Sequence, residues 1–112
     1  MANGDKISVG ADELIVKMFD AQSASASSPW IHVKDYPEKN FHADAIETGG
    51  QIEIMVRNDE NQPLAATDGV IAQTLIPAAL AADVTGYIWA KAKKTAGGTP
   101  APSTLIMMAR RR

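Results

Sequence analysis

His32 and His42 are the only histidines of this 112-residue chain, and with Asp35 or Asp44 they are the residues whose types could hold a metal ion. Their separation matches no ligand spacing, and single histidines on solvated strand faces account for both. Asn58, Asp59, Glu60 and Asn61 cluster the oxygen ligands that calcium favours. They lack the D-x-D-x-D-G frame, however, and Asn and Asp are also the residues that make turns. The candidate nucleophiles, Ser23, Ser25, Ser27 and Ser28, fall in a small, polar segment with nothing to hold a hydroxyl in attack geometry. The sequence has no G-x-S-x-G elbow, no P-loop and no G-x-G-x-x-G. With no cysteine, it has no disulfide, thiolate metal site or thiol nucleophile. The reading is therefore of a non-enzymatic protein with no catalytic residues, no cofactor and no metal.

Binding chemistry is better represented. Tyr87 and Trp89 stand beside Lys91, Lys93 and Lys94, an aromatic and basic pattern suited to single-stranded nucleic acid or sugars. An outward strand face that packs on a neighbouring subunit produces the same pattern. Arg110, Arg111 and Arg112 form a cationic tip, able to pair bidentately with carboxylates of an acidic partner. The formal net charge is only −2, which does not favour a surface built to coat nucleic acid or an anionic membrane. No apolar run approaches the roughly 18 residues that span a bilayer. The N-terminal segment, with Asp5, Asp12 and Glu13, has no signal-type apolar core, so the expectation is a protein made in a cytoplasm.

The elements that must position these residues read as strands. In "QIEIMVR", Ile52, Ile54 and Val56 alternate with Gln51, Glu53 and Arg57, between a Gly49–Gly50 turn and the "NDENQP" turn. "DELIVKMF" places Leu14, Val16 and Met18 on one face, with a helix as the competing reading. "PWIHVKD" alternates Ile31 and Val33 against Trp30 and His32, and "NFHADAIE" is expected to pair with "QIEIMVR". "GVIAQTLIP" and "GYIWAKAKK" follow, the latter setting Ile88, Ala90 and Ala92 against Tyr87, Trp89, Lys91 and Lys93. "STLIMMARR" is apolar on both faces, which predicts burial on two sides or a face covered by a partner. Only "PAALAAD", Pro77 to Asp83, reads as a short helix. "AQSASASSP" (21–29) reads as a surface loop, and "TAGGTPAPS" (95–103) as a long exposed hairpin loop. The fold expected is an all-β antiparallel sandwich, jelly-roll-like or immunoglobulin-like, with about seven or eight short strands and at most one helical turn. Residues 1–112 form a single domain in this reading, with 1–12 as an extended N-terminal arm.

The order of features over residues 28–112 ("SASSPWIHVKDY", "FHADAIETGGQIEIMVRND", "GYIWAKAKKTAGGTPAPSTLIMMARR") resembles small β-sandwich structural proteins of tailed bacteriophages. These are the capsid decoration or cement proteins and related head and tail accessory modules. The resemblance implies a virion protein made in the host cytoplasm that binds and stabilises an assembled capsid, with the major capsid protein or other virion subunits as partners. A homo-oligomer is expected, and neither membrane nor nucleic acid is favoured as a partner. The residues expected to make contacts are Tyr87, Trp89, Met108, Arg110, Arg111 and Arg112, with the Ser23–Ser28 and Gly97–Pro102 loops secondary. Met18, Met55, Met107 and Met108 are expected as adaptable contact residues. The alternative is a carbohydrate- or host-surface-binding module that uses the Trp30 or Trp89 face.

Overall fold

The computed structural model describes residues 3–64 and 67–111. Ten strands succeed one another: β1 (Asp5–Val9), β2 (Glu13–Gln22), β3 (Ala26–Ser27), β4 (Ile31–His32), β5 (Glu38–Ala43), β6 (Gln51–Arg57), β7 (Val70–Leu75), β8 (Ala81–Thr85), β9 (Trp89–Thr95) and β10 (Ser103–Arg110). They build two antiparallel sheets. The first, sheet A, runs β1-β2-β10-β5-β8, and the second, sheet B, runs β3-β9-β6-β7 with β4 also paired to β9. Both termini of the main fold thus meet in the middle of sheet A, where β10 lies between β2 and β5. This interleaved order is that of a jelly roll, a sandwich of two Greek keys.

Alternation explains why these segments are strands. Leu14, Val16 and Met18 of β2, Phe41 and Ala43 of β5, Ile52, Ile54 and Val56 of β6, Ala90 and Ala92 of β9, and Leu105, Met107 and Ala109 of β10 all point inward and are buried. A period of two puts one face of each strand in a shared core, which fixes the register. Met18 and Met107 belong to this interior and Met55 is buried in a separate cluster, so of the four methionines expected as contact residues only Met108 reaches the surface.

Several expectations are corrected. Pro77 to Asp83 is not helical: a turn closed by the Ile76–Ala79 bridge leads straight into β8. A short alanine run gains little from helix formation alone, whereas β8 gains a ladder with β5 from Glu38–Thr85 to His42–Ala81 and buries Val84. The strand near Phe41 pairs with β10 and β8, not with β6, which lies in the other sheet. β9 and β10 are not a hairpin either, because each belongs to a different sheet and residues 96–102 cross between them. Gly97 makes this crossing possible: a side chain there would run into the carbonyl of Thr48. The Ser-rich segment is partly ordered as β3. Ser28 is buried, and its Oγ accepts the Ala92 N–H at 2.9 Å. Of the N-terminal residues, Asp5–Val9 pair with β2 of the same chain as the outermost strand of sheet A.

A buried lysine closes the core at each end. Lys39, on the inward face of β5, donates to the carbonyls of Tyr36, Pro37 and Gly86. Lys94, on the inward face of β9, donates to Gln22 O, Ala101 O and Ser103 Oγ. Both tie loops to the sandwich.

Candidate functional site

The outward face of sheet A is built in rows by the registers of its strands. Thr85, Glu38, Arg110 and Glu13 lie side by side across β8, β5, β10 and β2. The next row is Asp83, Asn40, Met108 and Ile15, and the third is Ala81, His42, Ile106 and Lys17. The centre of this face is therefore apolar (Ile15, Ile106 and Met108, each half-buried), and the periphery, Ala81 apart, is charged or polar. An apolar centre within a polar rim is the anatomy of a protein-binding patch. A groove of about 420 Å³ occupies one side, lined by Glu38, Lys39, Asn40, Asp83, Thr85, Met108 and Arg110. Asn40 Nδ2 donates to Asp83 Oδ1 at 2.6 Å, which fixes both side chains at the groove wall.

The structure brings Met108 and Arg110 into this one groove but scatters the other expected contact residues. Arg110 lies 3.9 Å from Glu13 and directly across the ladder from Glu38, so its charge is partly balanced on the spot. The Arg111 guanidinium donates to Ala11 O at 2.8 Å, and its backbone N–H to Asp12 O. Arg112 lies outside the described residues. Among the described residues the end of β10 is thus a corner of mixed charge, with Arg110 beside Glu13 and Glu38. Tyr87 is exposed and borders a separate gap of about 270 Å³ between β7 and β8, with Ile71 and Gln73 opposite.

Trp89 is not on the surface. It is 9 % exposed and Trp30 6 %, and with Met55 the two indoles form a small second core on the outer side of sheet B. Lys91 lies over the Trp30 ring at 4.9 Å, near enough for a cation–π contact. Asp59 and residues 67–68 of the β6–β7 connection strap this cluster. The Trp89 indole N–H donates to Asp59 O at 3.0 Å, Lys91 Nζ to Thr67 O and Asp68 Oδ1, and Lys93 Nζ to Asp68 Oδ2. These hydrogen bonds, Lys91 first and Lys93 second, hold the Asp68 carboxyl below the usual carboxylate range. The aromatic and basic pattern of β9 is thus an internal clamp. Lys94 faces the opposite way, into the core, and no exposed indole face is left on the described residues for stacking a base or a sugar.

The remaining candidates are also dispersed. His32 is on β4 in sheet B, edge-on to Trp89 at 4.8 Å between ring centroids, whereas His42 is on β5 in sheet A. Asp59 of the acidic turn pairs with Arg57 at 2.7 Å. Among the described residues no cluster of His, Asp or Glu is arranged to hold a metal. Glu38, Asn40, Asp83 and Thr85 were not singled out from the sequence. Their signal was an alternation of outward polar residues on two short strands, and it becomes a site only once β5 and β8 are known to be neighbours.

No protein-family model matches the chain, and no curated protein matches it by sequence. Solved structures do resemble it. The SPBc2 prophage-derived protein YomS superposes with a TM-score of 0.66 at 14 % identity, covering 88 % of this chain and 92 % of YomS. A conserved protein with a double-stranded β-helix domain from Klebsiella pneumoniae gives 0.54 at 11 % identity, covering 95 % of this chain and 69 % of that one. BH2720 from Bacillus halodurans gives 0.51 at 10 % identity, covering 100 % and 74 %. At these identities the likeness is one of fold: an all-β sandwich of the double-stranded β-helix type, of which a prophage-derived protein is one example.

Proposed function

We propose that this chain is a non-catalytic structural subunit of a bacteriophage particle, which docks on the assembled shell through the outer face of sheet A and stabilises it as a decoration or cement subunit. The observation that carries the reading is the meeting of Met108 and Arg110 with Glu38, Asn40 and Asp83 in one groove beside the apolar centre of that face. The jelly-roll interior, where a small barrel would house a ligand, is filled instead by Phe19, Phe41, Met18, Met107 and their neighbours. Its few polar groups are occupied in holding loops: Lys94 and Ser103 at one end, Lys39 at the other. The prophage origin of YomS supports a phage context for this fold.

The mechanism is one of avidity. Each copy contributes a modest interface, with Met108, Ile106 and Ile15 supplying apolar contact and Glu13, Glu38, Asp83 and Arg110 selecting a partner of complementary mixed charge. Repetition over a symmetric shell then makes the total binding strong. The test is a comparison of the wild type with Met108→Lys and Asp83→Lys in binding to the coat assemblies of the source phage. Both variants alter only outward side chains, so they are expected to fold normally and to lose binding. Retention of full binding by both would remove this face from the account.

A further inference from the structure

An open sheet edge is a row of unpaired backbone donors and acceptors, and proteins blunt such edges with charge, proline, shortness or irregularity. Three of the edges here are treated in that way. β1 carries Asp5 and Lys6 and has a break in register between Lys6 and Ser8. β8 carries Asp83, held outward by Asn40. β3 and β4 are two residues each, separated by Pro29.

β7 is different. It is the outermost strand of sheet B, six residues long, with no charge and no proline between Val70 and Leu75. Its one irregularity, at Ala72, brings no charged side chain. Val70 is 71 % exposed and Ile71 48 %, and Ile76 just beyond is exposed as well. Among the described residues none hydrogen-bonds to the outer edge of this strand. Tyr87 borders the same gap as Ile71 and is held there by a backbone in the left-handed region (φ 71°, after Gly86 at φ 90°). That conformation is strained for a non-glycine residue, and such strain gathers at functional sites.

We propose that β7 is a self-association edge, pairing antiparallel with β7 of a second copy of this chain across a two-fold axis. The two B sheets then join into one continuous sheet, and Val70, Ile71, Ile76 and Tyr87 of each copy are covered by the other. The occupant follows from symmetry and charge. An antiparallel edge is complementary to itself under a two-fold rotation, so a second copy supplies a matching set of donors and acceptors without adjustment. No charged residue lies between Asp68 and Asp83, so the two-fold sets no like charges against each other along the strand. A net charge of −2 adds little repulsion between copies. The gap beside this edge shares Asp83 and Thr85 with the Met108 groove, but β7 itself lines no part of that groove, and the pairing stands whether or not the chain binds a particle.

The test is analytical ultracentrifugation of the purified full chain alone, with Ile71→Lys, Val70→Glu and, as a control at another edge, Ile7→Lys. The wild type and Ile7→Lys are expected to sediment at twice the mass of the chain. Ile71→Lys and Val70→Glu are expected to be monomers, with dissociation constants raised at least about tenfold and unchanged circular dichroism. Because the chain has no cysteine, Gln73→Cys gives a second reading: mild oxidation should cross-link it to itself, and adding Ile71→Lys should abolish the cross-link. A wild type that stays monomeric at high concentration, even if its edge accepts an added uncharged strand peptide, overturns the proposal. So does a dimer that Ile71→Lys leaves intact.

Discussion

Lys94 Nζ lies 3.1 Å from Glu47 Oε1, with the lysine side chain fully buried and the glutamate 5 % exposed. The three N–H groups of the ammonium already go to Gln22 O, Ala101 O and Ser103 Oγ. The carboxylate therefore acts as a neighbouring counter-charge, and its other oxygen accepts the Gly97 N–H. One lysine thus gathers the end of β2, the start of β10 and, through Glu47, the crossing between the two sheets.

Removing the counter-charge should be costly. Glu47→Ala leaves an ammonium buried without a carboxylate, and the expected loss is roughly 3–5 kcal/mol in urea unfolding. A loss under about 1 kcal/mol would show that the three neutral acceptors suffice. Burial pushes the Glu47 carboxyl up, but its own backbone N–H, Lys94 and Gly97 outweigh that and leave it below its ordinary 4.5. Its contribution is thus present above pH 4.5 and lost as pH falls through the lowered folded value. Glu47→Gln should flatten that acid limb of the stability curve.

Lys39 predicts the opposite limb. Burial pulls its ammonium down from 10.5 to about 8. Between those values the unfolded chain binds more protons than the folded one, so stability should rise with pH over that window. Urea midpoints measured across it should increase for the wild type, and Lys39→Met should lack the increase. Parallel curves for the two proteins would contradict the assignment.

The strap over the indoles should depend on Asp68. Asp68→Asn weakens the hold of Lys91 and Lys93 on residues 67–68. The expected result is a red shift in tryptophan emission and easier acrylamide quenching, because Trp30 and Trp89 lie directly beneath. Emission identical to the wild type would mean that the Asp59 carbonyl and Arg57 hold the strap unaided.

Much of this architecture was legible in the sequence. The alternations in "DELIVKMF", "QIEIMVR", "GYIWAKAKK" and "STLIMMARR" assign the inward residues of β2, β6, β9 and β10 because one buried face imposes a period of two. Which sheet each strand joins was not legible, since that is fixed by pairings distant in sequence, such as Leu105 with Ala43. The Thr95–Ser103 segment has the composition of a hairpin loop, and nothing local marks it as a crossing between sheets. Lys91 and Trp89 read as a surface platform because a lysine looks solvated until its counter-ion is known, and Asp68 is supplied by another connection. At the groove, Met108 and Arg110 could be named from the apolar outward face of β10. Glu38, Asn40 and Asp83 could not, because their neighbourhood exists only through the β10-β5-β8 order.

The proposed attachment to an assembled phage shell through the outer face of sheet A can be measured by co-sedimentation with coat-protein particles of the source phage, with the pellet quantified by mass spectrometry. The wild type is expected to be recovered at a fixed ratio to the coat subunit, and Met108→Lys to be lost from the pellet. Absence of the wild-type protein from the pellet, under conditions where the particles sediment intact, would contradict it.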